Sequence, residues 1–274
     1  MHSYRWPPIP ALIALAFASP PASAQLRPFG PVDWELFDPS YNFTIGAGVG
    51  VMRNQELSLA GTRGHLTELG NFRVGWRSGR IGVEVAGTLY RRFEDQTITR
   101  PPALAADPPN GAVRQDAGDI LASTVVRLTD ERKPMLFALR FGTRLPTTSN
   151  EAGIERDRTD FFATLGARWR VGPFALGGEG GVGILGTHVD GVDQLDVLTY
   201  AFGLEWRVGP VVSQGVLVGQ DDVHKRVIRG NEDLSEVRVG LRAGDRIWIS
   251  ATAVKGIADF SPGHGFLLMV GLRR

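Results

Sequence analysis

Residues 160–174 read Asp160-Phe161-Phe162-Ala163-Thr164-Leu165-Gly166-Ala167-Arg168-Trp169-Arg170-Val171-Gly172-Pro173-Phe174. Phe161, Ala163, Leu165, Ala167 and Trp169 fall on one parity. Thr164, Gly166, Arg168 and Arg170 fall on the other. A repeat of two is the side-chain period of a β-strand with unlike faces. Val171-Gly172 ends the run, and alternation resumes at Phe174, so Trp169 is expected to face Phe174 across a tight hairpin.

The same period recurs along the chain. In the first strand Phe43, Ile45, Ala47, Val49 and Val51 oppose Thr44, Gly46, Gly48, Gly50 and Met52. The second sets Phe72, Val74 and Trp76 against Asn71, Arg73, Gly75 and Arg77, and the third sets Ile81, Val83, Val85 and Leu89 against Gly82, Glu84, Ala86 and Thr88. Further strands are expected at 119–128, 135–145, 160–170, 173–185, 197–207, 210–220, 235–243, 247–257 and 264–273. The segment from Val211 to Val218 shows no clean phase.

Two kinds of connection take turns. Ser78-Gly79, Val171-Gly172, Val208-Gly209 and Gly244-Asp245-Arg246 are short. They alternate with polar connections of roughly seven to twenty-five residues, the rhythm of an up-and-down transmembrane barrel. Strands of about nine to eleven residues suit a bilayer crossing. The expected fold is all-β: a twelve-stranded antiparallel up-and-down transmembrane β-barrel over residues 41–274. A soluble sandwich shares the alternation, but it has no reason to alternate short and long connections.

The first 24 residues read as a secretory signal peptide. Arg5 is basic, Ile9 to Ala18 is apolar and Ala22-Ser23-Ala24 is an A-x-A cleavage site. Residues 25–40, rich in proline and aspartate, read as an irregular periplasmic lead-in. Glycine, at 35 of 274 residues, disfavours long helices. There is no cysteine, hence no disulfide or thiolate site, and a net charge of +1 gives no pull toward nucleic acid. The expected location is the bacterial outer membrane. The expected partners are its lipid bilayer, the barrel-assembly machinery and small solutes.

If the apolar face meets lipid, the opposite face lines the lumen. It carries Arg73, Glu84, Arg127, Arg140, Arg144, Arg168, Glu179, Glu205, Arg238 and Arg242, with Arg92, Arg170, Arg207, Asp119 and Glu236 beside them. Arginine outweighs acid there, which points to a basic passage favouring anions. Glycines at inward positions (Gly46, Gly48, Gly50, Gly177, Gly181 and Gly183) leave space for water or for arginines from across the barrel. Trp76, Trp169 and Trp206, each followed by Arg-x-Gly, are expected as a girdle at the turn side, and Phe43, Phe161, Tyr200 and Phe266 as a girdle at the other side. The loop 94–118, with four prolines, reads as either a constriction of the pore or a surface loop.

Motifs of other chemistry are weak. Gly178-x-Gly180-x-x-Gly183 matches a dinucleotide fingerprint but sits inside a strand with no helix after it. Asp190, Asp193 and Asp196 lack calcium-loop spacing. His65, His188, His224 and His264 fall at or beside loop ends, and none begins a His-x-Ser cue for a lipid hydrolase. A pair such as His264 with Ser250 carries no mark of its own. The expectation is a protein that is not an enzyme and uses no cofactor and no metal.

Phe141-Gly142-Thr143-Arg144-Leu145-Pro146-Thr147, with Thr159-Asp160-Phe161 after a polar loop, resembles outer-membrane proteins of the meta-pathway of phenol degradation type. The resemblance covers about residues 137–185. Arg144 stands where that family usually has lysine. The resemblance implies uptake of aromatic or other hydrophobic compounds, and an arginine-lined lumen would suit aromatic acids. The chain ends Leu268-Met269-Val270-Gly271-Leu272-Arg273-Arg274, without the terminal aromatic residue usual in such barrels. A closed barrel acting through its outer loops, and a lipid-modifying enzyme, are the alternatives.

Overall fold

The computed structural model describes residues 26–99, 112–130, 132–147, 152–187, 194–224 and 233–274. The expected signal peptide and residues 100–111 of the 94–118 loop lie outside them, as do His188, Asp190 and Asp193. The strands are β1 (Phe43–Leu57), β2 (Thr62–Ser78), β3 (Ile81–Ile98), β4 (Val113–Asp116), β5 (Ile120–Arg127), β6 (Met135–Leu145) and β7 (Asp160–Val171). They continue as β8 (Phe174–Gly186), β9 (Gln194–Val208), β10 (Val211–Asp222), β11 (Leu234–Gly244), β12 (Ile247–Gly256) and β13 (His264–Arg273). β4 and β5 pair in succession with the same edge of β3, so together they fill one position. Every other pairing joins neighbours in sequence, and β1 closes on β13 from Thr44↔Arg273 to Arg53↔His264. The result is a closed twelve-position antiparallel barrel, which leaves no sheet edge unpaired.

Its outer wall is apolar. Ile45, Leu139, Leu165, Leu176, Phe202 and Val270 are all exposed, whereas Arg140, Arg144, Arg168 and Arg238 are buried. A soluble sheet shows the reverse. Only an apolar solvent makes this wall stable, because water would charge about 25 cal/mol for each Å² of it.

The tight turns lie one residue further along than the sequence reading placed them, which moves each cross-strand partner by two. Ser78 faces Ile81, Val171 faces Phe174 and Val208 faces Val211, so Trp169 opposes Leu176. The turns are Gly79-Arg80, Gly172-Pro173 and Gly209-Pro210, with the glycine at φ 57°, 57° and 55°. A positive-φ glycine followed by proline, whose φ is fixed near −65°, suits a two-residue hairpin turn. A partner shift of two preserves parity, so the residues beside these turns kept their faces.

The first long connection is also shorter than expected. β1 runs on to Leu57 and β2 begins at Thr62. Bulges reset the phase on the way. The β1–β2 register shifts between Gly48 and Val49, opposite Gly70, which has φ 66°. Beyond it Leu66, Phe93 and Met52 turn inward, while Arg63 and Thr67 turn outward. The same strands thus change from a lipid-type to a water-type pattern. The apolar side chains now inside close the loop-side mouth, where Leu57, Ala60, Val254 and Leu267 join them.

Residues 26–38, expected as a periplasmic lead-in, run through the barrel. Leu26 packs into the mouth cluster, Phe29 with Phe162, Leu121 and Val197 at mid-height, and Val32, Leu36 and Phe37 with Val125 and Ala138 lower down. Trp34–Phe37 form one turn of 3-10 helix, capped by the Asp33 carboxylate, which accepts from Glu35 N. The physical reason lies in composition: Leu26, Phe29, Val32, Trp34, Leu36 and Phe37 are too apolar to remain in water when an interior is within reach.

Candidate functional site: a lumen threaded by its own N-terminal segment

The space for the threading segment comes from inward glycines. A Cβ on Gly82 would run into Leu36, one on Gly166 would lie 3.1 Å from Trp34, and one on Gly183 would lie 3.2 Å from Phe29. The inward glycines were expected to make room for water or long arginines. Those beside the segment make room for its side chains, whereas Gly46 and Gly48 accommodate Trp248 and Met269.

The wall arginines hold the segment by charge and by ring contact. Arg73 bridges Asp33 at 3.1 Å and Glu84 at 3.0 Å. Arg242 and Arg273 donate to the Glu35 carboxylate, and Arg207 reaches it at 3.3 Å. Arg140 donates to the Gly30 carbonyl, and Val32 N donates to Glu179 at 2.5 Å. Arg144 lies over the Phe29 ring at 4.4 Å and Arg127 over Phe37 at 5.4 Å. Each such cation–π contact contributes about 0.5–2 kcal/mol. At the upper end Arg27 pairs with Glu68 at 2.9 Å.

The remaining interior residues of the expected lining pair with acids of the wall. Arg168 meets Glu205 at 2.7 Å, Arg238 meets Glu236 at 2.8 Å and Arg144 meets Asp160 at 3.1 Å. Arg140 approaches Glu179 at 3.8 Å. Arg92 instead pairs with Glu94 near the loop side, half exposed, and Arg170 is exposed at the turn end. Sequence reasoning missed Arg27, Asp33, Glu35, Glu68, Arg91, Glu155 and Asp160. The apolar content of 26–37 was a signal for the first three. No local pattern marks the others.

Two small cavities flank the 3-10 turn. One, of about 70 Å³, lies between Trp34, Arg73, Arg168, Gly177 and Glu205. The other, of about 30 Å³, lies between Glu35, Tyr41, Arg242, Trp248 and Arg273. Spaces of this size hold a few waters among the charged groups.

Trp76, Trp169 and Trp206 point outward at the turn ends, and Trp206 stacks on Phe174 with ring centroids 6.2 Å apart. Phe161, Tyr200 and Phe266 lie nearer the loop side. Phe43 does not: it pairs with Trp76, because β1 starts at the turn side. His264 and Ser250 are not neighbours. Ser250 pairs with Met269, five residues from His264, roughly 16 Å along a strand. His65 lies within β2 rather than beside a loop end, and His224 follows β10. Among the described residues no group of His, Cys, Asp or Glu is arranged to hold a metal ion.

The architecture has counterparts among solved structures. The chain is similar to the COG4313 outer membrane channel from Pseudomonas putida F1, at 13% identity over 88% of this chain and 98% of that one, with a TM-score of 0.63. The fold is that of an outer-membrane β-barrel. The barrel is also similar to the translocator domain of the autotransporter NalP from Neisseria meningitidis, at 13% identity over 87% and 91% of the two chains, with a TM-score of 0.47. The outer membrane channel DcaP of Acinetobacter baumannii gives 10% identity over 85% and 96%, with a TM-score of 0.42. No protein-family model and no curated protein matches the chain.

Proposed function

We propose that the barrel is an outer-membrane channel for small solutes, with a preference for anions or aromatic acids, and that the threading segment sets how far it is open. One observation carries this reading: from mid-height to the turn side, much of the lumen is filled by a peptide held through non-covalent contacts. A wall that accommodates Phe29, Trp34 and Phe37 would leave a bore wide enough for a small organic molecule once they withdraw. The segment also supplies the acids that answer Arg73, Arg207, Arg242 and Arg273 at the turn side. Without it, that stretch of wall would be strongly basic and would focus anions.

The likeness of residues 137–185 to the meta-pathway of phenol degradation type supports aromatic acids as the solute class. Insertion by the barrel-assembly machinery belongs to the same reading. The test is planar-bilayer recording on the whole chain and on a variant lacking residues 26–38, with folding checked by heat-modifiable gel migration. The deletion should raise conductance several-fold and favour anions. A folded deletion variant with no current and no solute flux into liposomes would sink the channel. A closed barrel acting through its loops would then be favoured, in keeping with the apolar clusters that fill the lumen from mouth to turn side.

A further inference from the structure

The turn-side rim of the barrel carries a basic collar. Arg80 on the β2–β3 turn, Arg132 and Lys133 between β5 and β6, Arg170 at the end of β7 and Arg246 on the β11–β12 turn are all exposed. None of these side chains forms an ion pair with a described carboxylate. The acids of the rim are turned to their own connections. Asp38 accepts from Ser40 N at 3.0 Å, Asp130 from Arg132 N at 3.0 Å and Asp245 from the Tyr41 hydroxyl. Asp130, near Arg132 and Arg80, offsets part of their charge. The β9–β10 turn differs, because Arg207 is drawn toward Glu35 and Glu205.

The collar borders the lipid-facing wall. Ile81, Met135, Val171 and Ile247 each follow one of its cations within two residues, and all are exposed. Trp169 directly precedes Arg170 and points outward, as do Trp76 and Trp206. With about 3.3 Å of rise per residue, the cations stand beside or just beyond the headgroup level that outward tryptophans occupy. The short turns of an outer-membrane barrel face the periplasm. The leaflet they meet is therefore the phospholipid one.

We propose that the collar binds phospholipids of net negative headgroup in the periplasm-facing leaflet. A guanidinium can donate two parallel hydrogen bonds to a phosphate. In a zwitterionic lipid the phosphate is already answered by the lipid's own ammonium group. A phosphatidylglycerol headgroup has no such cation, so it gains more from a rim of unpaired arginine and lysine. An acidic soluble protein would also answer the charge, but the exposed apolar side chains set among the cations match a bilayer edge. The loop-side rim has no such bias: exposed Arg53 and Lys255 are mixed there with exposed Asp196 and Asp259.

The test uses the whole chain in vesicles of phosphatidylcholine with a minority of phosphatidylglycerol. One lipid or the other carries bromine near the top of its acyl chains. Quenching of tryptophan fluorescence then reads which lipid lies against Trp76, Trp169 and Trp206, all at this rim. Relative to its bulk fraction, phosphatidylglycerol should be enriched there several-fold at low salt, and the enrichment should fall as salt screens the charge. The combined variant Arg80→Gln, Lys133→Gln, Arg170→Gln, Arg246→Gln should bring the ratio back to bulk. Arg53→Gln with Lys255→Gln, at the opposite rim, should leave it unchanged. Heat-modifiable migration checks folding, and should the fourfold variant fold poorly, Arg170→Gln with Arg246→Gln should still lower the enrichment clearly. No enrichment in the unaltered chain, or equal enrichment in the collar variants, overturns the proposal and leaves the rim to a soluble partner. The readout does not depend on conduction, so failure of the channel reading would leave the collar standing.

Discussion

The ring of Phe29, on the threading segment, stacks on that of Phe162, on β7, with centroids 4.7 Å apart and planes at 29°. Guanidinium groups flank both: Arg144 over Phe29 at 4.4 Å and Arg140 over Phe162 at 4.8 Å. This layered contact is the midpoint of the segment's path. It joins an inward aromatic of the wall to a residue that local sequence would leave outside the barrel.

Phe29→Ala should loosen the segment without unfolding the barrel. Large-to-small changes at buried aromatics cost about 3–5 kcal/mol, and here the cost falls on docking of one peptide. Limited proteolysis of folded protein in micelles should then cut within residues 26–38 faster than in the parent. An unchanged cleavage rate would argue that Phe29 is not an anchor.

A side chain at Gly82 would collide with Leu36. Gly82→Val should push the 3-10 turn aside and raise single-channel conductance. Gly178→Ala offers a comparison, since its added carbon would find nothing closer than 3.9 Å. Equal currents from the two variants would count against a segment-controlled bore.

Glu35 answers three arginines: Arg207, Arg242 and Arg273. Glu35→Gln leaves them without that charge, and removing one partner of a buried ion pair costs about 3–5 kcal/mol. Reversal potentials under a salt gradient should move toward anion selectivity. No movement would mean that these arginines do not face the conducting path.

Leu165 lies outward, midway along β7, and is 55% exposed. Leu165→Arg should destabilise the barrel in vesicles by about 2–4 kcal/mol, the cost of a cation at the bilayer midplane. Urea titration of vesicle-embedded protein reads this directly. A change within error would contradict lipid contact at that face.

The barrel itself was legible because a period of two is a local property. Each of the twelve expected strands exists, and the turn error of one residue, which moves partners by two, kept the parity of the strands beside each turn. The Val211–Val218 run was unreadable for a physical reason. β10 buries Val212 inside and packs Val216 and Val218 against Ala201, while its other parity carries Ser213, itself buried, and Gly215. Both faces are of mixed character, so neither parity stands out.

The sequence by itself determined the twelve positions of the barrel and the two unlike faces of most of its strands. Strand periodicity requires nothing beyond near neighbours. Only the tertiary structure decided what the inward arginines meet. Asp33 and Glu35 lie 40 and 207 positions from Arg73 and Arg242, and Glu155 lies 64 from Arg91. Such pairs arise from closing the barrel around a threaded peptide and from a loop folding into its mouth. That closure turns an interior that reads as basic into one largely neutralised and filled.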